Sequence, residues 1–192
     1  MYSALLRDPE FFVFLTACDR ELAAEAQRQG CSRCGDRLHR ADFPRKPRGG
    51  PEGDPLEPVL RYSFCCAQEG CRHRATPGSL RFLGRRVYWG AIVILALVLR
   101  SGVTPLRAKQ LRELIGVSAR TLGRWRQWWQ STFAGSSFWK AAQGRLREPV
   151  APSDLPHRLL ARFSGDARAR VVALLRFLAS GVAGPEAIAP AG

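Results

Sequence analysis

Apolar positions recur with the period of a helix through most of the second half of the chain. The longest apolar run has about thirteen residues and lies between two arginines, Arg86 and Arg100. A helix that crosses a membrane needs about twenty apolar residues. The run therefore predicts a buried helix over residues 86–100.

Both ends of the chain also show helical patterns. Residues 1–30 favour helix in two pieces, and Gly30 is a suitable residue to end the second. Two amphipathic helices are predicted near 153–163 and 166–180. The last stretch, 181–192, is rich in Ala, Gly and Pro, so we expect it to be frayed.

One stretch in the first third of the chain is not helical in pattern. Residues 44–58 contain five prolines and three glycines, which exclude a helix or a central strand and predict a surface excursion. Residues 60–66 then alternate between apolar and polar side chains, as in a β-strand. The predicted fold class is mainly α with a small β element.

Residues 104–130 have the pattern of a helix-turn-helix. Thr104 is a good N-cap for a helix that runs to Ile115, Gly116 makes the turn, and Ser118 caps a second helix that ends near Phe133. The apolar positions fall where two crossing helices bury side chains. The aromatic residues that we expect to pack in the core or between helices are Trp128, Trp129, Phe138 and Trp139.

The charge of the chain points to a polyanionic partner. The formal net charge is +14. Residues 31–90 carry 12 Lys/Arg and 6 Asp/Glu, and residues 102–148 carry 9 and 2, so these two stretches hold 13 of the 14 excess charges. Basic modules of this kind suit nucleic acid, because binding releases condensed counterions. The alternative is a generally arginine-rich composition without a polyanionic partner.

The second helix of this motif has a basic face. Arg120, Arg124 and Gln127 share one side of the helix, where arginine can read guanine and glutamine can read adenine. The residues predicted to contact phosphate are Ser118, Arg126, Lys109, Arg72, Arg74, Arg85 and Arg86. The alternative is a helical hairpin that serves as core and has a solvated basic face.

Two cysteine pairs supply the other candidate chemistry. Cys31 and Cys34 form a C-x2-C pair, and Cys66 and Cys71 form a C-x4-C pair. Four thiolates are the ligand set of a structural zinc ion, so the sequence predicts a zinc ribbon held by these residues. Cys65 competes with Cys66, but Cys66 shares its strand face with apolar residues.

Other uses of the cysteines are less consistent with the sequence. A redox pair at Cys31 and Cys34 would lack the usual βαβ context and would leave the second pair unexplained. Cys18 lies in a predicted helix and is expected to be a small buried apolar residue. Charged residues precede the first apolar run, which is not the pattern of a secretion signal, so we expect a reducing, cytoplasmic setting.

These patterns divide the chain into four segments. They are an N-terminal helical segment (1–30), a zinc ribbon (31–82) with the Pro/Gly-rich insertion 44–58, a helix-turn-helix domain (83–148) and a C-terminal helical segment (149–192).

Over residues 31–130 the order of motifs resembles the N-terminal region of bacterial insertion-sequence transposases. The shared features are the ribbon, the Arg-His-Arg-Ala-Thr-Pro-Gly-Ser sequence at 72–79, the apolar helix containing Tyr-Trp, and the Gly-Val-Ser helix-turn-helix. In that family a ribonuclease-H-like domain with three separated carboxylates follows and cuts DNA. After residue 130 the acids of this chain are Glu148, Asp154, Asp166 and Glu186, without a strand-rich region. The resemblance therefore implies DNA recognition without catalysis.

The sequence thus predicts a non-enzymatic, zinc-stabilised protein that binds double-stranded DNA. The resemblance implies an accessory protein of a mobile element, or a relic of a transposase, associated with the nucleoid and not with a membrane. A transposase subunit is a second candidate partner. Two alternatives stay open at this point: an adaptor that docks on a catalytic subunit, and a host transcription regulator.

Overall fold

The computed structural model describes residues 2–49, 59–84, 88–100, 109, 113, 115–146 and 148–182. The helices are α1 (Tyr2–Leu5), α2 (Pro9–Gln29), α3 (Gly90–Arg100), α4 (Ala119–Gln127), α5 (Ser137–Gln143), α6 (His157–Leu160) and α7 (Ala167–Val182). The strands are β1 (Leu38–Arg40), β2 (Phe43–Arg45), β3 (Val59–Arg61), β4 (Phe64–Cys66) and β5 (Arg74–Ala75). This confirms the prediction of a mainly helical chain with a small β element.

The strands form two small antiparallel sheets. One has the order β1-β4-β5, with Leu38 opposite Cys66, and the other pairs β2 with β3. The prediction of one strand over 60–66 was wrong, because the chain leaves one sheet and enters the other at Tyr62 and Ser63. The Asp42 carboxylate accepts a hydrogen bond from the Ser63 N–H at 2.9 Å and so stabilises this break.

Strand β2 overlaps the start of the Pro/Gly-rich stretch, residues 44–58, that we expected to be an excursion. Its central residue is the exposed Pro44, which has no N–H to donate. Proline is tolerated here because the sheet has only two strands, so both are edge strands. Each strand forms ladder hydrogen bonds on one side only, and the other side does not need an N–H donor. Among the described residues of this stretch, 44–49, the strand is therefore an edge strand and not a central one. Residues 50–58 of the stretch lie outside the described residues.

Helix α2 is the longest element at the N-terminal end. It begins after Asp8, whose carboxylate accepts hydrogen bonds from the N–H groups of Glu10 and Phe11 at 3.0 and 3.3 Å. It ends at Gly30, as predicted, where φ is +75° and an added Cβ would lie 2.8 Å from the Gly35 carbonyl oxygen. Glycine is required at this position because both the backbone angle and the close approach exclude a side chain.

Helix α3 is the centre of the helical core. Its residues from Ala91 to Ala96 are completely buried on every side, as the unbroken apolar run predicted. Helices α1, α4 and α7 contact it. Within the described part of the chain, every helix is too short or too polar to cross a membrane.

The C-terminal third packs aromatic side chains against this core. Trp128, Trp129 and Trp139 are buried and Phe138 is half-buried, with its ring 5.0 Å from that of Phe177, so the prediction that they are packing residues is confirmed. The prediction of a single helix over residues 153–163 was wrong. A 3-10 turn (Pro152–Asp154) and the short helix α6 occupy that stretch.

A buried ion pair joins α2 to the segment that precedes α3. Asp19 and Arg81 are each 1% exposed, and the Arg81 Nε donates to Asp19 at 2.7 Å. The Leu80 N–H also donates to Asp19 at 2.6 Å, and Arg81 Nη2 donates to the Leu60 carbonyl at 2.8 Å. The Ser79 hydroxyl also donates to the Asp19 carboxylate, and we call Asp19, Ser79 and Arg81 the buried polar cluster. It ties strand β3, helix α2 and residues 79–82 into one unit.

Candidate metal centre and basic helix face

The four predicted ligands lie together. The sulfur atoms of Cys31, Cys34, Cys66 and Cys71 are all within 4.8 Å of one another. The Sγ atoms of Cys31 and Cys71 are 3.8 Å apart, and those of Cys34 and Cys66 are 3.4 Å apart. Residues from two loops that are more than thirty positions apart in the sequence therefore form one cluster that could hold a metal ion.

The spacing of the sulfur atoms fits a tetrahedral ion. Four sulfurs at about 2.3 Å from a central zinc ion lie about 3.8 Å from one another. The two observed sulfur pairs are within about 0.4 Å of that value. A thiolate cluster of this size can bind a metal ion without a large rearrangement of the backbone.

The first cysteine loop, residues 31–35, is shaped by backbone hydrogen bonds. The Gly35 N–H donates to the Cys31 carbonyl at 2.7 Å, and the Cys31 N–H donates to the Asp36 carbonyl at 2.8 Å. The Arg33 N–H points at the Cys31 sulfur at 3.4 Å. That hydrogen bond is the main reason that the pKa of Cys31 falls to about 7, so this thiol ionises near neutral pH.

The second cysteine loop, residues 66–72, follows strand β4. Both the Cys71 and the Arg72 N–H groups donate to the Gln68 carbonyl at 3.2 Å, which closes the loop. Arg72 has a φ of +43° and Gly35 has a φ of +76°, so the residue after the last cysteine is left-handed in both loops. Cys66 is buried, and its burial raises the pKa of the thiol to about 12.

The remaining cysteines lie outside the cluster. Cys65 is half-buried on the opposite face of β4 from Cys66, and its Sγ lies 3.7 Å from the Arg72 carbonyl oxygen. The structure therefore places Cys66, and not Cys65, with the other three sulfurs. Cys18 is 4% exposed within α2, as predicted for a small packing residue.

The basic helix begins where the sequence predicts. The Ser118 side chain accepts a hydrogen bond from the Thr121 N–H at 3.2 Å and caps α4. Gly116, with a φ of +60°, makes the turn before it. Most of the preceding predicted helix, 105–115, lies outside the described residues, although Lys109, Glu113 and Ile115 are helical.

Helix α4 separates an apolar side from a basic side. Thr121, Leu122 and Trp125 are buried, and the Trp125 ring packs edge-on against Tyr88 at 4.9 Å. The exposed residues of this helix and its cap include Ser118, Arg120, Arg124, Arg126 and Gln127. The chain then continues as a π-helical turn over Trp128–Phe133, whose aromatic side chains anchor α4 in the core.

The other predicted phosphate contacts differ in their surroundings. Arg72 and Lys109 are exposed. Arg74 is also exposed but makes internal contacts: its Nε donates to Ser63 Oγ and its Nη2 to the Ala41 carbonyl, both at 3.0 Å. Its guanidinium lies over the Phe43 ring at 5.4 Å, so Arg74 joins the two sheets. Arg85 and Arg86 lie outside the described residues.

The sequence does not predict the buried polar cluster. Asp19 lies in a helix whose other polar residues are mostly exposed, and nothing in its spacing distinguishes it from them. Ser79 and Arg81 follow Pro77 and Gly78, a pair of residues that predicts a loop. The one available signal was an arginine between Leu80 and Phe82, both of which are apolar.

Comparisons with protein-family models, with curated proteins and with solved structures found no match to this chain.

Proposed function

We propose that this protein is a non-enzymatic DNA-binding protein in which a zinc ion braces the fold and α4 reads the duplex. The observation that carries the proposal is the basic face of α4, where Arg120, Arg124 and Gln127 are exposed on a helix whose other side is buried. A helix with one side fixed in the core can enter a major groove without losing its own order.

The charge around α4 supports a polyanionic partner. Residues 114–147 contain six basic residues and no Asp or Glu. The six are Arg120, Arg124, Arg126, Lys140, Arg145 and Arg147. A solvated helix surface usually mixes both signs of charge, whereas this stretch has only one, which attracts phosphate and repels other cations. Arginine also makes the bidentate contacts with guanine that give sequence preference.

Zinc is the metal that we propose for the four-cysteine cluster. A site built only from thiolates and close to tetrahedral favours zinc or iron–sulfur chemistry over magnesium or calcium. Zinc sites with four thiolate ligands are structural, since they leave no open coordination position for a substrate. In this proposal Cys31, Cys34, Cys66 and Cys71 hold the ion, and the two loops form a zinc ribbon.

The acidic residues after position 130 support a role without nuclease activity. Three of the four are described. The Glu148 carboxylate pairs with Arg162 at 3.1 Å, Asp154 pairs with Arg158 at 3.4 Å, and Asp166 accepts a hydrogen bond from the Ala169 N–H at 2.8 Å. Each carboxylate thus has a local structural partner, whereas two-metal nuclease chemistry needs carboxylates that converge on shared ions.

The proposal is tested by replacing Arg124. Selection from a random-site duplex pool should identify a preferred sequence, and Arg124→Ala should weaken binding to it by about tenfold or more, with a smaller loss on random duplex. The matched control is Lys140→Ala, which removes one exposed positive charge from α5 and should weaken both duplexes equally. Equal losses on the two duplexes with Arg124→Ala would contradict a recognition helix.

The resemblance to insertion-sequence transposases extends the proposal to a mobile element, with a transposase subunit as a further partner. A genomic neighbourhood with flanking inverted repeats or an adjacent transposase gene would support this part. The protein-adaptor alternative makes a different prediction. It expects tight association with a catalytic subunit together with weak DNA affinity that has no sequence preference.

A further inference from the structure

A glycine occupies the middle of the basic face of α4, and nothing in the fold requires it. Gly123 is exposed, and an ideal Cβ built on it would meet no atom within 4 Å. Its backbone is helical and not left-handed, so an alanine could adopt the same conformation. Glycine is among the poorest residues for the interior of a helix, and alanine is the best.

The neighbours of Gly123 on the helix surface are the proposed DNA contacts. Residues three and four positions apart are adjacent on a helix. Gly123 is three positions after Arg120, three before Arg126 and four before Gln127, and all three are exposed. The missing side chain therefore leaves a notch in the basic face, with long polar side chains around it.

We propose that Gly123 is a contact position that lets the backbone of α4 approach the edge of a base pair in the major groove. The inference rests on the proposed function, because it needs a duplex on this face. Glycine is the residue that allows a backbone to come close to a ligand, and its cost to the helix is offset by that contact. A Cβ at this position would hold the helix away from the base edges.

The contact has no charge, and this separates it from the phosphate contacts. The logarithm of the binding constant falls linearly with the logarithm of the salt concentration. Loss of one phosphate contact reduces the magnitude of that slope by about one. A methyl group at position 123 removes no charge. Gly123→Ala should therefore weaken binding at every salt concentration by the same factor and leave the salt dependence unchanged.

The experiment compares Gly123→Ala with wild type and with Gly135→Ala. Gly135 is a matched control, since it is also exposed and helical, with open space where its Cβ would lie, but it follows the π-helical turn and is outside the basic face. Gly123→Ala should raise Tm by about 2–4 °C, because it replaces a glycine in the interior of α4 with alanine. Gly135 lies between the π-helical turn and the N-cap of α5, so Gly135→Ala should change Tm less.

The two variants should differ in DNA binding. Gly123→Ala should raise the Kd for the selected duplex by about tenfold, more than for random duplex, with an unchanged salt slope. Gly135→Ala should leave both values unchanged. A gain in stability together with a loss of binding is the expected signature, because a purely structural role for the glycine would give the opposite change in stability.

Four outcomes would overturn the inference. A lower Tm for Gly123→Ala would show that the fold itself requires the glycine. Unchanged affinity for a duplex that wild type selects would show that α4 does not approach closely at this position, and the proposed function would survive. Equal losses on selected and random duplex would assign the contact to the phosphate backbone. If wild type selects no sequence at all, the proposed function fails and the inference fails with it.

Discussion

Two regions of this protein reach order by different physical means. The metal module consists of the two cysteine loops with strands β1, β4 and β5, and the helical core consists of α1, α3, α4 and α7 with the apolar end of α2. The helical core buries most of the apolar helix α3, and every side chain from Ala91 to Ala96 is excluded from water. Most of its order follows from apolar burial, and the buried polar cluster ties α2 to the segment before α3.

The metal module has a much smaller apolar cluster. Its buried residues are Ala23, Cys31, Leu38, Tyr62, Phe64 and Cys66. Two of them are candidate ligands, and burying a large apolar side chain contributes only about 1.5–3 kcal/mol. Ordering each residue costs about 1–2 kcal/mol in backbone entropy, so the cluster cannot order two loops by itself. This difference predicts that a metal ion at the four cysteines contributes to the order of the metal module and not to that of the helical core.

Helix α2 links the two regions. Its first half supplies Phe11, Phe12 and Leu15 to the helical core, and its second half supplies Ala23 to the metal module. The Gln27 side chain also donates to the Leu38 carbonyl at 3.3 Å. A metal bound at the cysteine loops therefore acts on the end of a helix whose other end is anchored in the core.

The largest expected effect comes from removing one ligand. Cys71→Ser should abolish stoichiometric metal binding and unfold the metal module, since structural zinc sites contribute about 10–16 kcal/mol of apparent binding free energy. The helical core should stay folded. All five tryptophans of the chain lie in the core, so their fluorescence reports on the core while hydrogen exchange of β1 and β4 reports on the module.

The matched control for this experiment is Cys65→Ser, which removes a neighbouring thiol outside the cluster. It should keep one metal ion per chain and full protection of the strands. Full metal affinity in Cys71→Ser would contradict the four-cysteine site, and loss of tryptophan burial in that variant would show that the core depends on the metal after all.

A smaller but broader effect is expected from the buried polar cluster. Arg81→Met removes the arginine that donates to the Asp19 carboxylate, which is 1% exposed, and leaves Arg61 as its nearby cation. Removing one partner of a buried ion pair typically costs about 3–5 kcal/mol. Because the cluster holds α2, which links the two regions, to the segment before α3, both regions should lose stability together, as measured by urea unfolding with the same two probes.

The control pair is Arg162 and Glu148, whose side chains are 33% and 72% exposed. Arg162→Ala should change the free energy of unfolding by about 1 kcal/mol or less. If Arg81→Met destabilised one region and left the other unchanged, the cluster would belong to that region and would not join the two.

The smallest expected effect comes from the residue that follows the last cysteine in each cysteine loop, which is Arg72 in one and Gly35 in the other. Arg72 has the left-handed φ that Gly35 has in the first loop, and a non-glycine residue there is strained by about 1–2 kcal/mol. Arg72→Gly should raise the free energy of unfolding of the metal-loaded module by about 1 kcal/mol or less, because added chain entropy offsets part of the gain. Gly35→Ala should lower it by a similar amount. A destabilised Arg72→Gly protein would mean that the arginine side chain contributes more than its backbone costs.

The sequence predicts the metal cluster well because its signals are local. Each cysteine pair is close in sequence, and the alternation around Phe64 and Cys66 was enough to favour Cys66 over Cys65. The cap at Ser118 and the stop at Gly30 are local for the same reason, since both depend on hydrogen bonds or angles within a few residues. Features that depend only on neighbouring residues can be predicted from the sequence without knowledge of the fold.

Predictions that depended on distant partners were weaker. The break at Ser63 depends on Asp42, which is twenty-one residues away, so alternation alone predicted one strand where there are two. The sequence predicts that Arg74 contacts phosphate, but in the structure its guanidinium donates to Ser63 and to the Ala41 carbonyl and lies over the Phe43 ring. The sequence shows the positive charge of Arg74 but not the intramolecular partners that it contacts.

By itself, the sequence determined the mainly helical class, the burial of α3, the four thiols and the basic face of α4. Each of these follows from composition or from periodicity within one element. Tertiary structure alone decided that Asp19 meets Arg81 across sixty-two positions and that Arg74 contacts Ser63, Ala41 and Phe43. It also decided that Gly123 has open space above it. The physical reason is that burial, pairing and free space are properties of neighbours in three dimensions, and a sequence specifies those neighbours only through the fold.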